Sequence, residues 1–538
     1  MNRARGFLLL WCAALAATWL LRPLLPPDET RYLAVAWEMH SSGSFLVPVL
    51  NGEAYSHKPP LLFWAYAAGF EMFGPNSWWP RLVQAAGAAL ALALVARLAR
   101  ALAPQAPDAP PCAALLLGGT LAFQVYSGAL FFDLWLTAFV LAAWLGLVRA
   151  CPADPAQPPS PRTGWLLFAL ATAAALLTKG PAALISILPP ALLRVFWRGR
   201  DARPAATWSA LFLALAAGAG LALAWALPAA HAGGPEYGAA ILWGQTAGRL
   251  QESFAHARPF WWYLTILPVL ALPWTLWPPL WRRSPGASAT AVRFGLSAFL
   301  PALLIFSCVS GKQPHYLLPA LAALALIGAA RLCAGARSAP RLWLPGALLL
   351  GAGLLAALPW ILTLARLPAP DFARSAWFGG AAALTLGAAA VILARRSGPA
   401  PGLAGAALLM PALALLLHLA AGGALAAHFD LAAPSRIIAE AQRSGRATAL
   451  LGTGYHGQFH FLGRLKDPVA NPAAAGEMRV WLHAHPDGLA AVVVRSGDDP
   501  RLAAGAESIH QFGTRRLALW RAGALAEFWP PRAATRAP

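Results

Sequence analysis

Two acids and an arginine, in Asp28-Glu29-Thr30-Arg31-Tyr32, follow the first apolar stretch of this chain. A lysine set between a histidine and a proline pair, His57-Lys58-Pro59-Pro60, comes soon after. Further on stand Asp133 in Phe131-Phe132-Asp133-Leu134, Lys179 before Gly180-Pro181, His256 and Arg258, and Lys312-Gln313-Pro314-His315-Tyr316. Ionisable groups beside a bilayer are costly, which makes each a candidate for function. Together they suit one chemistry. Cations such as Arg31, Lys58, Arg258 and Lys312 can hold a phosphate and offset charge on a departing group. A carboxylate such as Asp28 or Glu29 can take a proton from an attacking hydroxyl. The set fits transfer from a phosphate-linked lipid with no separate covalent step. Each residue also has a plainer reading. The first loop could be solvated charge, Asp133 a helix-packing acid satisfied by Lys179, His256 a surface histidine, and Arg249 and Arg258 contacts to lipid head groups.

The elements that must position these groups are membrane helices. The chain has 538 residues, 59% hydrophobic and 12% charged, against about 25% charged in a soluble globular protein. Its apolar residues come in continuous blocks of about 20, the length that crosses a bilayer core as helix. Only helices or closed barrels satisfy their backbone in lipid, and a barrel would alternate with a period of two. Hydropathy places 13 spans, the first over 6–25 and the last over 403–426. One span is read over 112–127, and the eleventh and twelfth over 342–364 and 375–394. The first block reads as an uncleaved span, since no clear small-residue cleavage site precedes Pro26. Long polar segments remain at 26–79 and 229–259. The first of these holds a short amphipathic helix over Tyr32–His40 and an apolar stretch from Leu61 too short to span.

The formal net charge of +20 would suggest nucleic acid in a soluble protein. Here the arginines cluster in short links between apolar blocks, as at Arg97, Arg100, Arg194, Arg198, Arg282 and Arg283, and topology accounts for them. No nucleic-acid partner is expected. The arginine bias puts the N-terminus in the cytoplasm. The Asp28, Lys58, Lys179, His256 and Lys312 segments then face outward, to the periplasm of a Gram-negative cell. The five cysteines lie in or beside apolar blocks with no Cys-x-x-Cys pair, so neither a disulfide framework nor a zinc site follows from them.

Composition changes near residue 430. Helical patterns over Ser435–Arg443 and Glu477–His485 alternate with strand patterns over Ala447–Leu451, Ala490–Val494 and Arg515–Trp520. That alternation predicts a small α/β domain over 430–538, outside the membrane, after a transmembrane domain over 1–429. Gly452-Thr453-Gly454 lacks a third glycine at phosphate-loop spacing and reads as a plain turn.

The motifs then carry a resemblance. Asp28-Glu29-Thr30-Arg31-Tyr32, Val47-Pro48-Val49-Leu50-Asn51-Gly52 and Lys58-Pro59-Pro60-Leu61 resemble the first outer loop of the lipid A aminoarabinose transferases. Those enzymes belong to the superfamily of polyprenyl-phosphate-sugar and protein-mannosyl transferases with the GT-C fold. Leu177-Thr178-Lys179-Gly180, His256-Ala257-Arg258-Pro259-Phe260-Trp261-Trp262-Tyr263, Leu272-Pro273-Trp274 and Lys312-Gln313-Pro314-His315-Tyr316-Leu317-Leu318-Pro319 are similar to later segments of the family, in order. Each match is short; their order and topological placement carry the weight, over roughly residues 5–330.

The resemblance implies an inverting glycosyltransferase of the bacterial inner membrane, with its active site and C-terminus periplasmic. It implies a donor of sugar on undecaprenyl phosphate, 4-amino-4-deoxy-L-arabinose in the family, and lipid A or a related periplasmic acceptor. Asp28 would be the catalytic carboxylate. Lys58 and Arg258 would hold the lipid phosphate, Asp133, Lys179 and Tyr316 would line the donor cavity, and Glu29, Arg31 and Lys312 would join in binding substrate. Where the family often has Glu-Lys-Pro, this chain has His57-Lys58-Pro59. That glutamate and the histidine matching His256 are associated in the family with a divalent metal. His57 and His256 are therefore candidate ligands for zinc, although two imidazoles without a carboxylate make an incomplete set. Two alternatives stay open. A protein O-glycosyltransferase of the same fold would differ only in its acceptor. A lipid or sugar transporter would bury charge in mid-span and show related halves; the charges here sit near the outer ends of spans, and no repeat is evident.

Overall fold

The computed structural model describes residues 2–152, 158–198, 204–248, 257–277, 286–334, 406–495 and 498–527, with 280, 403 and 529 besides. His256, Arg249 and the eleventh and twelfth hydropathy spans lie outside them. The chain divides into two compact units. One comprises Met1–Leu20, Ser56–Leu62 and Pro80–Ala421; the other comprises Leu21–Tyr55, Phe63–Trp79 and Gly422–Pro538.

Among the described residues, six helices are long and apolar enough to cross a membrane: Trp78–Leu102, Asp133–Ala150, Pro161–Leu192, Ala206–Ala232, Ala289–Cys308 and Pro314–Cys333. A seventh span follows if Ala109–Gly118 and Leu121–Ser127 count as one. Hydropathy reads that pair as a single run, but the two helices meet at 69°. The break is local chemistry that hydropathy does not register. Gly119 separates the helices, and the Thr120 hydroxyl accepts from the Phe123 amide at 3.1 Å, capping the second one. The start of the second polar segment is itself helical. The helix from Pro204 continues to Ala232, and helical turns run on to Gly248.

In the first unit, helices Asp133–Ala150 and Pro161–Lys179 form a close antiparallel pair. Glycine makes this possible. A Cβ on Gly146 would lie 2.7 Å from the Gly164 carbonyl oxygen, and one on Gly164 would lie 2.5 Å from the Ala150 amide nitrogen. Small residues let membrane helices approach backbone to backbone. The crossing fixes the opposite end of the pair, where Asp133 begins one helix and Lys179 ends the other.

In the second unit, a mixed four-stranded sheet runs in the order Thr448–Leu451, Leu489–Val494, Arg515–Arg521 and Ser508–Phe512. Strands β3 (Thr448–Leu451) and β4 (Leu489–Val494) are parallel; β6 (Arg515–Arg521) pairs antiparallel with both β4 and β5 (Ser508–Phe512). The period of two sorts β4 onto two cores. Leu489, Ala491 and Val493 join Ile438, Phe459 and Leu517, while Ala490, Val492 and Val494 join Leu482, Leu502 and Trp520. The helices expected here are present at Ala432–Arg443 and Ala475–Ala484.

The amphipathic helix expected over Tyr32–His40 is longer and more deeply covered than a surface helix. It spans Asp28–Ser42, with Glu29, Thr30 and every residue from Tyr32 to Met39 buried. Acids in its first turn favour the positive end of the helix dipole, and left-handed Gly43 closes it. Its cover comes from far along the chain. The Trp37 indole donates to the Leu465 carbonyl at 2.7 Å. Asn51, at the turn of the hairpin β1 (Val49–Leu50) to β2 (Glu53–Ala54), exchanges two hydrogen bonds with the Val469 backbone, at 2.8 and 3.1 Å. The Glu38 carboxylate accepts from the Asn51 and Gly52 amides at 2.7 and 3.0 Å. Burial holds the Glu38 carboxyl above its ordinary range, with those two amides opposing. Burial also pushes His460, 3.6 Å from Glu38, down to about 4.

One close approach seats the segment after β3 on this helix. Gly457 lies at φ +75°, and a Cβ there would meet Leu50 Cδ1 at 2.6 Å and Ala34 Cβ at 2.8 Å. Gly457→Ala is expected to destabilise this unit by about 1–3 kcal/mol through overpacking and left-handed strain. Denaturant unfolding followed by tryptophan fluorescence would measure it, and a change under about 0.5 kcal/mol would contradict the packing described.

Candidate active site

The expected site residues fall into three clusters. The first centres on Asp133 and Lys179. Their side chains, 3% and 10% exposed, form an ion pair. Helix geometry favours it, since an acid at a helix start and a base at a helix end both complement the dipole. The Lys179 ammonium also lies 4.2 Å over the Tyr316 ring, a cation–π contact that strengthens as water is excluded. His315 Nε2 sits 3.7 Å from the other Asp133 oxygen. The His315 ring packs against Tyr126 and Phe131 with centroids 5.7 and 5.3 Å apart. Lys58, half-buried, is near enough for its charge to act on Asp133. Among the described residues, the cluster thus gathers lysine charge around one buried carboxylate, with aromatic rings beside it.

The second cluster ties Arg258 to Lys312. Ala257 and Gly311 form an antiparallel bridge, and the Arg258 amide donates to the Ser310 carbonyl at 3.1 Å. The buried Lys312 ammonium donates to the Arg258 carbonyl at 3.0 Å and to the Val309 carbonyl. The Tyr263 hydroxyl donates to the Gln313 carbonyl at 3.1 Å. Lys312 therefore joins the two loops through backbone carbonyls, while the Arg258 side chain is exposed.

The third cluster lies at the start of helix Asp28–Ser42, where neighbouring carboxylates have different surroundings. Glu29 is 2% exposed and receives both Arg22 terminal nitrogens, at 2.8 and 3.0 Å, and the Leu25 amide at 2.8 Å. Asp28 is 36% exposed and pairs with Arg31 one turn on. Arg31 lies 5.6 Å from the Tyr32 ring centroid, and its Nε is buried without a hydrogen-bond partner among the described residues. The exposed ring of His456, from the segment after β3, is near enough to feel both Arg31 and Asp28. Desolvation and the Arg31 charge hold His456 below its ordinary value, with Asp28 opposing.

Zinc was expected between His57 and His256. His57 is exposed, and His256 is not described. Among the described residues, no three His, Cys, Asp or Glu side chains gather as a metal would require.

Sequence reasoning did not single out Arg22, Glu38, His456 or His460 as candidates. The hydropathy reading passes over Arg22, which closes the first apolar block and reads as a flanking charge. Glu38 and His460 are 422 positions apart and meet only through the fold. His315 stands inside a quoted motif, but only the structure turns it toward Asp133.

A family profile described as dolichyl-phosphate-mannose-protein mannosyltransferase matches residues 57–228. The chain is 32% identical over 312 residues to an undecaprenyl phosphate-alpha-4-amino-4-deoxy-L-arabinose arabinosyl transferase of Pseudomonas aeruginosa strain UCBPP-PA14, covering 56% of this chain and 54% of that protein. It is 32% identical over 320 residues to the protein of that name from Edwardsiella ictaluri, covering 57% and 55%. The chain thus spans about half the length of these relatives. Among solved structures, ArnT from Cupriavidus metallidurans in the apo state superposes with a TM-score of 0.72 at 22% identity, over 97% of this chain and 99% of that one. The same protein bound to undecaprenyl phosphate gives 0.70, also at 22% identity, over 96% and 98%. Over nearly its whole length, then, this chain has the GT-C fold of the aminoarabinose transferases, as the motifs of its polar loops implied.

Proposed function

We propose that the protein is an inverting glycosyltransferase of the bacterial inner membrane that moves a sugar from undecaprenyl phosphate to lipid A or a related periplasmic acceptor. The observation that carries this reading is the first cluster. Asp133, Lys179 and Tyr316, which the family resemblance assigns to the donor cavity, meet from three separate stretches of sequence, with the Lys58 charge acting on Asp133. The curated relatives are arabinosyl transferases by name, which makes 4-amino-4-deoxy-L-arabinose the first sugar to test.

In this reading Asp28 takes the proton from the acceptor oxygen as that oxygen attacks the anomeric carbon. A new carbon–oxygen bond forms, the bond to the donor phosphate breaks, and undecaprenyl phosphate leaves. Lys58 and Arg258 hold the departing phosphate, and aromatic walls around Lys179 exclude water that would hydrolyse the donor. No step is routed through a metal. The full topology proposed is 13 spans, a cytoplasmic N-terminus and a periplasmic α/β domain over 430–538.

Lys58→Ala is expected to lower kcat/KM for the lipid-linked donor by about 10²- to 10³-fold, the usual loss of one preorganised charge at a departing group. Steady-state transfer by purified protein would measure it, and a loss under about threefold would remove Lys58 from the donor site. A protein acceptor is the second reading, favoured by the description of the matched family profile. Product analysis with both acceptor types separates the two.

A further inference from the structure

We propose that Cys112 and Cys333 form an oxidation site, a thiol pair that takes a peroxide-class oxidant and closes to a disulfide between two membrane helices. The pair is made by the fold. The two residues stand 221 positions apart, yet the Cys333 thiol donates to the Cys112 sulfur at 3.6 Å. Cys112 lies near the start of helix Ala109–Gly118, and Cys333 near the end of helix Leu318–Ala334. Further along the same two helices, a Cβ on Gly328 would lie 2.9 Å from Leu116 Cδ1. The helices therefore run antiparallel in close contact, and that packing sets the two sulfurs side by side. A disulfide has its sulfurs about 2.05 Å apart, so closure needs a shift of about 1.5 Å. Side-chain rotation with a small helix movement supplies it.

Both cysteines are half-buried and pack on the apolar core of the first unit. That setting admits a small uncharged oxidant such as hydrogen peroxide more readily than a bulky or charged thiol reagent. One thiolate attacks the peroxide, the O–O bond breaks, and a sulfenic acid forms while the departing hydroxide takes up the thiol's proton as water. The second thiol gives up its proton and attacks that sulfur; the S–O bond breaks, a second water leaves, and the S–S bond forms. Two thiols are oxidised, and one peroxide is reduced to two waters. In the topology proposed above, this end of the helix pair is cytoplasmic, as Arg331 in the last turn marks. Cytoplasmic thiols are kept reduced, so the dithiol is the resting form and the disulfide registers oxidant. The tie restrains two helices whose opposite ends lead into the first cluster. One begins directly after the turn Pro314–Leu317, which carries His315 and Tyr316; the other leads through the bend at Gly119 to Tyr126, whose ring packs against His315.

The test uses full-length reduced protein in nanodiscs, treated with graded hydrogen peroxide, quenched with catalase, unfolded and alkylated with N-ethylmaleimide. Peptide mass mapping follows all five cysteines. Cys112 and Cys333 are expected to lose alkylation together and to appear as one cross-linked peptide pair that dithiothreitol releases. Exposed Cys12 and Cys308 and buried Cys151 serve as internal controls and should stay out of any cross-link. The closed loop spans 221 positions, so the oxidised chain should also migrate faster on a non-reducing denaturing gel. In Cys112→Ser and Cys333→Ser, the remaining cysteine should stop at the sulfenic acid, which dimedone traps, and the fast-migrating form should vanish. Three results overturn the proposal: both thiols still alkylated under peroxide that oxidises Cys12 and Cys308, both oxidised without a cross-link, or either one joined to another cysteine or another chain. None of these readouts depends on sugar transfer, so failure of the transferase reading leaves the test of the thiol pair intact.

Discussion

Asp133→Leu is expected to cost about 3–5 kcal/mol of stability, the range for removing one partner of a buried ion pair. Asp133 and Lys179 side chains are 3% and 10% exposed, and the substitution removes the carboxylate that pairs with the ammonium while the Tyr316 ring stays against it. The second half of the experiment replaces both, as Asp133→Leu with Lys179→Met. Apolar residues of similar volume often restore the stability of a buried pair or improve on it. The double variant should therefore unfold close to wild type in detergent while transfer stays lost. That contrast separates two readings of one ion pair. A helix-packing acid predicts that activity returns with stability; a donor-cavity residue predicts that it does not.

The second large effect concerns adjacent carboxylates with opposite roles. Glu29→Gln is expected to lower stability by about 3–5 kcal/mol, since it leaves Arg22 buried without its counter-charge. Asp28→Asn is expected to leave folding intact, because Asp28 is one-third exposed and its partner Arg31 retains other contacts. Its effect should fall on transfer instead, a loss of about 10²- to 10⁴-fold in kcat for removal of a general base. Thermal unfolding and single-turnover transfer on the two variants measure both axes. Equal stability loss in both would deny the division of labour between Asp28 and Glu29.

How much of this was legible in the sequence differs from element to element. Long apolar blocks announced their helices, because a bilayer demands about 20 apolar residues whatever their neighbours are. Strands β3, β4 and β6 were legible for a related reason: burial on both faces leaves continuous apolar runs. Edge strand β5, Ser508–Phe512, alternates polar with apolar residues, a half-buried strand pattern that a search for continuous apolar runs passes over. The bend at Gly119 was invisible to hydropathy, because Gly118-Gly119-Thr120 is a short interruption between two apolar runs and a window average passes over it. The Asp28 motif was readable as chemistry, but the sequence alone could not say which of two neighbouring acids is paired and buried. That depends on Arg22 folding back, a tertiary event. His456 was out of reach for the same reason, because its relation to Arg31 exists only once the last hundred residues fold onto the Asp28 helix.

One measurement tests transfer of a sugar to a periplasmic acceptor directly. It is mass spectrometry of lipid A and total glycolipid from cells lacking the protein, from cells restored with it, and from cells carrying Asp28→Ala. The account predicts one sugar-sized mass increment, that of aminoarabinose first, present with wild type and absent from both the null and the Asp28 variant. Identical lipid profiles in all three strains, with the undecaprenyl-linked sugar pool also unchanged, would contradict it.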